Sequence, residues 1–500
     1  MFIPFKKVFP CLVFTINTIV LSQSLISPNN LTLSLNRISN DLELFIFGNQ
    51  NIVNPNERAF KLSFNLDIIK NNGHSNIDNN GNLFVSGTGV HALSSRIEYR
   101  NKFLFIELEP YFINQKNSYL DSTISGSYQY LNNHDSFSGS GRDDGLKNSQ
   151  IILHYLGIGI GYGYINHWWS PGFHSAISLS SNAPSQETYS IGTFKDIYIG
   201  NFSFSSKIII MPYNSLKNYQ LYFSGLRSSI SYHSNPSISI GFNRTYLSGD
   251  LTQESGFNFI DKNLEWGIID AAKLVIEPLF GSSKKGLPYT QEGTPGFDPW
   301  DEVLSGYIKI LFPEDNLEVY AEIASDDNRG NLNDLRAHWD HSLGYMLGFR
   351  KLFQMNNIKF ISGLEYLSTK ESNTLNPKFY RGSPNISNFY SKEVYDYFTY
   401  NNRLMGAHSG SSSDDLIFMF GFGNDNNSLL INYNKERHGI KSRRPPELKT
   451  ELFIQYKKIL EGNNSIFIRY EYENIENFGF ISSNKSISRF IWIGYSLSIK

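Results

Sequence analysis

Cysteine is all but missing from this chain: of 500 residues, one is cysteine, and it is Cys11. Cys11 lies inside the apolar stretch Val8–Leu21, behind Lys6 and Lys7 and ahead of Ser22-Gln-Ser24. A short apolar run between lysines and small residues is the pattern of a secretory signal peptide, here over residues 1–24. Cleavage after Ser24 would remove the thiol, so the mature chain is expected to carry neither disulfide nor thiol chemistry. Cys11 sits inside the apolar run with no small residue before it, which speaks against a lipoprotein anchor. An excess of charge is lacking too. The formal net charge is −2, and loss of Lys6 and Lys7 takes it to −4. Nothing in that balance calls for a nucleic-acid partner. Long hydrophobic runs are absent after the leader. The most apolar later stretch, Ile151–Ile165, is interrupted by His154 and alternate glycines, and a spanning helix needs roughly 20 mostly apolar residues. There is no Gly-x-Ser-x-Gly elbow and no phosphate loop, so the chain is expected not to be an enzyme and to need no cofactor.

Aromatic residues are abundant instead, with 38 Phe and 30 Tyr, and the mean hydropathy is −0.31. That value is too polar for a bundle of membrane helices. It fits a membrane β-barrel, where every second strand residue meets lipid and aromatic rings gather at the two interfaces. A soluble all-β protein would explain alternation but not so many Phe and Tyr. The alternation itself is plain in Asn464–Glu473. There Ile466, Ile468, Tyr470 and Tyr472 oppose Arg469, Glu471 and Glu473 with the period of two that defines a strand. The same pattern sets Leu317, Val319, Ala321 and Ile323 against Glu318, Tyr320 and Glu322. It sets Leu448, Leu452, Ile454 and Tyr456 against Lys449, Glu451, Gln455 and Lys457, and it closes the chain with Ile491, Ile493, Tyr495, Leu497 and Ile499 on one face. The last residue is Lys500, where many barrels end in an aromatic.

Strand-plus-connection units of about 23–26 residues predict a large antiparallel transmembrane β-barrel over residues 86–500, with roughly 16–18 strands and an even count. Residues 25–85 are mixed, and read as a periplasmic or lumen-facing segment leading into the barrel. Short turns are expected at Asn424–Asn427 and Glu461–Asn464, and Asn-, Ser- and Gly-rich surface loops at 71–82, 132–149 and 407–415. Leu264, Ile268, Ala272 and Val275 recur at helical spacing before Pro278, which predicts a short helix within Asn263–Ile276, at the mouth or inside the barrel. A poorly patterned strand pair is the other reading of that stretch.

Between Leu156 and Tyr164, large residues alternate with Gly157, Gly159, Gly161 and Gly163. A bare face admits another backbone. The following loop, Asn166-His-Trp-Trp-Ser-Pro-Gly172, is expected to fold back over that face and partly fill the lumen. The plainer alternative is that the glycines only permit bending.

His167-Trp-Trp-Ser-Pro-Gly172 followed by Leu179-Ser-Ser-Asn-Ala-Pro184 resembles the Trp-Trp-Gly-Pro-Gly and Leu-Ser-Asn-Asn-Ala pattern of the capsule assembly Wzi family. Asn82–Gly89, Phe105–Pro110, Phe312–Asp327, His341–Tyr345 and Tyr400–Gly406 are similar to further motifs of that family and stand in the same order, so the likeness spans most of residues 80–440. Ser170 stands where the family motif often has Gly, and Ser391 follows Tyr390 where a His is common.

The resemblance implies a plugged, non-enzymatic outer-membrane barrel that binds capsular or other surface polysaccharide and helps hold it on the cell. Its other partners would be outer-membrane lipid and the barrel-assembly machinery, with the chain a monomer. A porin-like channel is the alternative. Sugars stack on flat aromatic faces and hydrogen-bond to carboxylates, amides and Arg. Trp168, Trp169 and Trp339, with His167, are therefore candidates either to bind polysaccharide or to plug the lumen. Glu322, Asp326, Asp327, Arg329 and Asp334 are candidates for the polar grip, or for ion pairs across the lumen. No metal site is read. Asp326–Gly330 with Asp334 lacks the spacing and final Glu of a calcium loop, and a strand would send His338 and His341 to opposite faces.

Overall fold

The computed structural model describes residues 59–499 except 74–77, 82–88, 118–138, 195, 216–218, 250–265, 277–299, 327–342, 371–388, 391–392, 402, 425, 442–443 and 462–463. The proposed signal peptide and Cys11 lie outside these residues, as do Asp327, Arg329, Asp334, His338, Trp339 and His341.

Alternating sequence becomes a closed wall of 18 antiparallel strands. In chain order they are β1 (Ala59–Asn71), β2 (Gly89–Arg100), β3 (Leu104–Leu108 and Pro110–Asn117) and β4 (Gly139–Leu146 and Ser149–Tyr155). Then come β5 (Ile158–Ile165), β6 (Gln186–Thr193 and Ile197–Ile199), β7 (Phe202–Asn214), β8 (Gln220–Tyr232) and β9 (Ser237–Gly249). The second half comprises β10 (Asp301–Phe312), β11 (Leu317–Asp326), β12 (Leu343–Met355), β13 (Ile358–Ser368) and β14 (Asp414–Gly423). It ends with β15 (Asn427–His438), β16 (Glu447–Ile459), β17 (Ser465–Glu476) and β18 (Lys485–Ile499). Neighbours in sequence are neighbours in the sheet, and β1 pairs with β18 in register Leu62↔Ile499 to Asn71↔Phe490. Closure leaves no unpaired edge, which hydrocarbon demands.

The outer face is apolar. Ile468, Tyr470, Ile491, Ile493, Phe418 and Ile240 point away from the lumen and are exposed, while Arg469, Glu471 and Glu473 between them are buried inside. Outward aromatic pairs ring the short-turn end: Phe103 with Tyr155, Phe202 with Tyr232, and Phe353 with Phe360. Tyr162 with Tyr189 and Tyr345 with Tyr366 mark the other end. An apolar belt between two aromatic girdles on a closed barrel is the form of a Gram-negative outer-membrane protein. No helix among the described residues is long and apolar enough to cross a membrane.

Three differences from the sequence reading have plain causes. The wall starts at Ala59, inside the span 25–85 read as a leading segment, because Phe60, Leu62, Phe64, Leu66 and Ile68 alternate well enough to make β1. Leu156 and Gly157 belong to a two-residue turn, not to the glycine-backed strand: both have positive φ, 51° and 88°, as a tight hairpin between twisted strands requires. The expected short helix is α1 (Ile268–Ile276), but its buried face is Ala271, Leu274 and Val275, packed against β7, β8 and β9, with Ala272 only half-buried.

All the long connections leave from one end of the barrel, and the short turns (such as 101–103, 313–316 and 356–357) lie at the other. In outer-membrane barrels the long ones face outward.

Candidate functional site

Two of the long connections send long buried segments into the lumen, and Asn79 of the β1–β2 connection and α1 of the β9–β10 connection pack with them. The first covers 166–185. It has no helix or strand, and nearly all of it is buried. The second contributes Phe389, Tyr390, Tyr395, Phe398 and the run 403–413. Irregular backbone cannot be buried without bonds for its N–H and C=O groups. Those bonds come from side chains on the wall.

The Trp-Trp-Ser-Pro-Gly stretch is a tight knot. Trp168 Nε1 donates to Gly172 O at 2.9 Å, and Ser170 Oγ accepts from Gly172 N at 3.0 Å. Ser170 Oγ also donates to Glu322 Oε2 at 2.7 Å, a bond a glycine could not make. Arg227 Nη1 on β8 donates to Trp168 O at 3.0 Å, and Asn243 Nδ2 on β9 donates to Trp169 O at 3.1 Å. Trp168 and Trp169 are 1% and 0% exposed. A Cβ at Gly225 would lie 2.8 Å from Trp169 Cζ3, so that glycine is what lets the indole reach the β8 backbone. His167 stands beside Trp169 with Nε2 3.2 Å from Thr188 Oγ1, and burial pushes its pKa down to about 3, aided by the charge of Lys207.

Further along, one carboxylate holds the loop. Glu365 on β13 accepts from Phe173 N and Ser175 N, both at 2.7 Å, and from Tyr320 Oη at 2.5 Å. Ser178 Oγ donates to Ser305 Oγ at 2.9 Å. The Leu179–Pro184 motif then meets the second segment. Ser180 N donates to Met405 O at 2.6 Å, and Asn182 Nδ2 donates to Leu404 O at 3.0 Å. Asn182 Oδ1 accepts from Arg403 Nη2 at 3.0 Å and from Asn79 N at 3.2 Å. Tyr390 Oη donates to Ile177 O at 2.6 Å, and Tyr390 N donates to Asp326 Oδ2 at 2.7 Å. Two motifs quoted above, 179–184 and 400–406, are thus one structural unit.

The glycine face of β5 is covered differently from the expectation. Phe194 lies 3.5 Å from the position a Gly161 Cβ would take, and the Trp loop instead packs on Gly225 and the wall beyond it. The long reach from β5 to β8–β13 carries the loop across the barrel, away from the strand it leaves.

Of the candidate site residues, the structure brings His167, Trp168, Trp169 and Glu322 together in the plug and puts Asp326 against Tyr390 N. Asp327, Arg329, Asp334 and Trp339 fall between Asp326 and Leu343, outside the described residues. Arg227, Asn243, Glu365 and Arg403 were not singled out from sequence. Each is one polar residue on an alternating strand or in a loop, and only Asn182 and Arg403 stood inside quoted motifs. Elsewhere the lumen is lined by ion pairs, among them Arg350 with Glu318 at 2.6 Å and Arg469 with Glu471 at 2.5 Å.

No protein-family model matches the chain, and no curated protein does. Among solved structures the chain is similar to Wzi, an outer-membrane protein involved in group 1 capsule assembly in Escherichia coli and described as a carbohydrate-binding β-barrel. The likeness covers 87% of this chain and 84% of that one, at 9% identity and a TM-score of 0.57. Pseudomonas aeruginosa OccK9 (OpdG) overlaps 88% of this chain and 98% of its own at 9% identity, with a TM-score of 0.43. At such identities, what is shared with Wzi is the barrel fold.

Proposed function

We propose that this chain is a non-enzymatic outer-membrane barrel that binds capsular or other surface polysaccharide at its outer mouth and helps retain it on the cell. One observation carries the reading. Two connections from the long-loop end are packed in the lumen, tied to the wall by buried hydrogen bonds at Arg227, Asn243 and Glu365 and to each other at Asn182. A floor of that kind suits capture of a polymer from outside and would oppose diffusion through the pore. Trp168 and Trp169, fully buried, serve the floor. Candidates for the sugar contacts are Asp327, Arg329, Asp334 and Trp339, in the connection that follows Asp326. A monomer in outer-membrane lipid, folded by the barrel-assembly machinery, completes the proposal.

The experiment is retention of surface polysaccharide in a deletion strain, paired with binding of purified polysaccharide to the detergent-solubilised protein. Unchanged retention and no binding would overturn the reading. A porin-like channel would instead show steady conductance in planar bilayers.

A further inference from the structure

Four side chains that play no part in the sugar reading converge where the plug meets the wall. His174 belongs to the first plug segment and His408 to the second, while Asp415 lies on β14 and Glu436 on β15. His408 Nε2 is 3.2 Å from Asp415 Oδ2 and 3.8 Å from Glu436 Oε1. His174 Nε2 is 3.3 Å from the same Asp415 oxygen. One donor atom from each of the four lies within 4.8 Å of those of the other three. The two imidazoles meet edge-on, their centroids 4.5 Å apart.

We propose that His174, His408, Asp415 and Glu436 bind one divalent transition-metal ion, zinc in class, which fastens both plug segments to the wall. Geometry is the first argument. Zinc bonds of about 2.0–2.2 Å in a tetrahedron put the donor atoms about 3.4 Å apart. The separations of 3.2, 3.3 and 3.8 Å bracket that spacing.

The second argument is an unanswered nitrogen. His408 is 1% exposed, and its Nε2 makes no hydrogen bond among the described residues although it faces two carboxylates. Asp415 Oδ1 makes none either. Buried polar atoms ordinarily find partners, and a metal ion supplies one to a nitrogen lone pair.

Charge is the third. Lys449 Nζ lies 2.6 Å from Asp78, 2.8 Å from Glu436, 3.2 Å from Glu451 and 3.6 Å from Glu473. Lys449 thus sits among four carboxylates, with Asp415 beside them. A divalent ion would add two units of positive charge at one point of this acidic cluster. Two imidazoles with two carboxylates favour zinc or its neighbours over calcium or magnesium, which prefer oxygen alone. The ligands are also held from behind. Ser175 Oγ donates to Asp415 Oδ2 at 3.1 Å, His438 Nε2 is 2.8 Å from Glu436 Oε2, and Asn434 Nδ2 donates to Glu436 Oε1 at 2.8 Å.

The test is elemental analysis of the full detergent-purified chain after incubation with zinc chloride and desalting. The expected result is on the order of one zinc per chain, falling about tenfold or more in H408Q and in D415N. Unheated gel mobility reports whether each variant still forms the closed barrel. Cobalt(II) offers a readout that needs no variant: the wild-type chain should gain the visible absorption of a four-coordinate ion, and zinc should abolish it. A folded wild-type chain that retains less than about a tenth of an equivalent and shows no cobalt spectrum would overturn the site, leaving the two imidazoles paired with the acids alone. Folded H408Q and D415N that hold as much zinc as the wild type would overturn it equally.

Discussion

Arg403 donates its Nη2 to Asn182 Oδ1 at 3.0 Å, joining two plug segments 221 residues apart in sequence. The same oxygen takes Asn79 N, so one amide gathers three stretches of chain inside the barrel. Replacing it with N182A removes an acceptor for a buried guanidinium and should weaken plug docking by about 2 kcal/mol. The wall does not depend on it. Unheated gel mobility should stay that of a closed barrel while bilayer recordings show intermittent openings that the wild type lacks.

Glu365 should matter more than any other single wall residue for the first segment, since its two oxygens take Phe173 N and Ser175 N. In E365A both N–H groups lose their acceptor and stay buried, at roughly 1–3 kcal/mol each. Limited proteolysis of the detergent-solubilised protein should then cut within 166–185. E365Q keeps one acceptor oxygen and should be cut more slowly.

Gly225 is expected to tolerate no side chain. A valine there would meet Trp169 at under van der Waals distance and push the indole off the wall, at about 1–3 kcal/mol for an overpacked core. A red shift of the tryptophan emission in G225V measures it. W169A, which opens a cavity instead, should cost about 3–5 kcal/mol in thermal unfolding.

Acid should loosen the plug at His167. The free imidazole titrates near 6.5 and the buried one near 3, so between those values the released segment binds more protons than the docked one. Docking is therefore weakened as pH falls through that window, by about 1.4 kcal/mol per unit for this group. H167Q abolishes that share. The difference between wild type and variant in proteolysis rate should be flat above about pH 6.5 and grow below it.

Substitution on the lipid face should be costly where the same change inside is absorbed. Phe418 points outward at the middle of β14, and F418R should reduce assembled barrel by about 2–4 kcal/mol worth of stability. Urea titration in lipid vesicles checks it.

Much of the wall could be read directly because hydrocarbon outside and charge inside force a period of two: Ile468 and Tyr470 out, Arg469 and Glu471 in. The hairpins at 424–427 and 461–464 followed from turn residues, and α1 from helical spacing ahead of Pro278. The strand Ala59–Asn71 was passed over because Asn-rich chain follows it, although its own alternation is clear. The plug was legible only as motifs. That Trp169 would rest on Gly225, not on the β5 glycines, depends on how the circle of strands closes. Closure is a relation between distant strands that no local pattern carries. The same holds for His174, His408, Asp415 and Glu436. Each is an isolated polar residue in sequence, and only the crossing of the lumen makes them neighbours.

The seam between β1 and β18 sets the order of manufacture. Leu62 pairs with Ile499, so the cylinder stays unfinished until the fifteen-residue strand β18 is in place. Until that moment two raw borders and a greasy exterior stand open together. Any mutation that removes β18 from Lys485 onward should therefore leave an open sheet prone to aggregation and degradation in place of a finished cylinder.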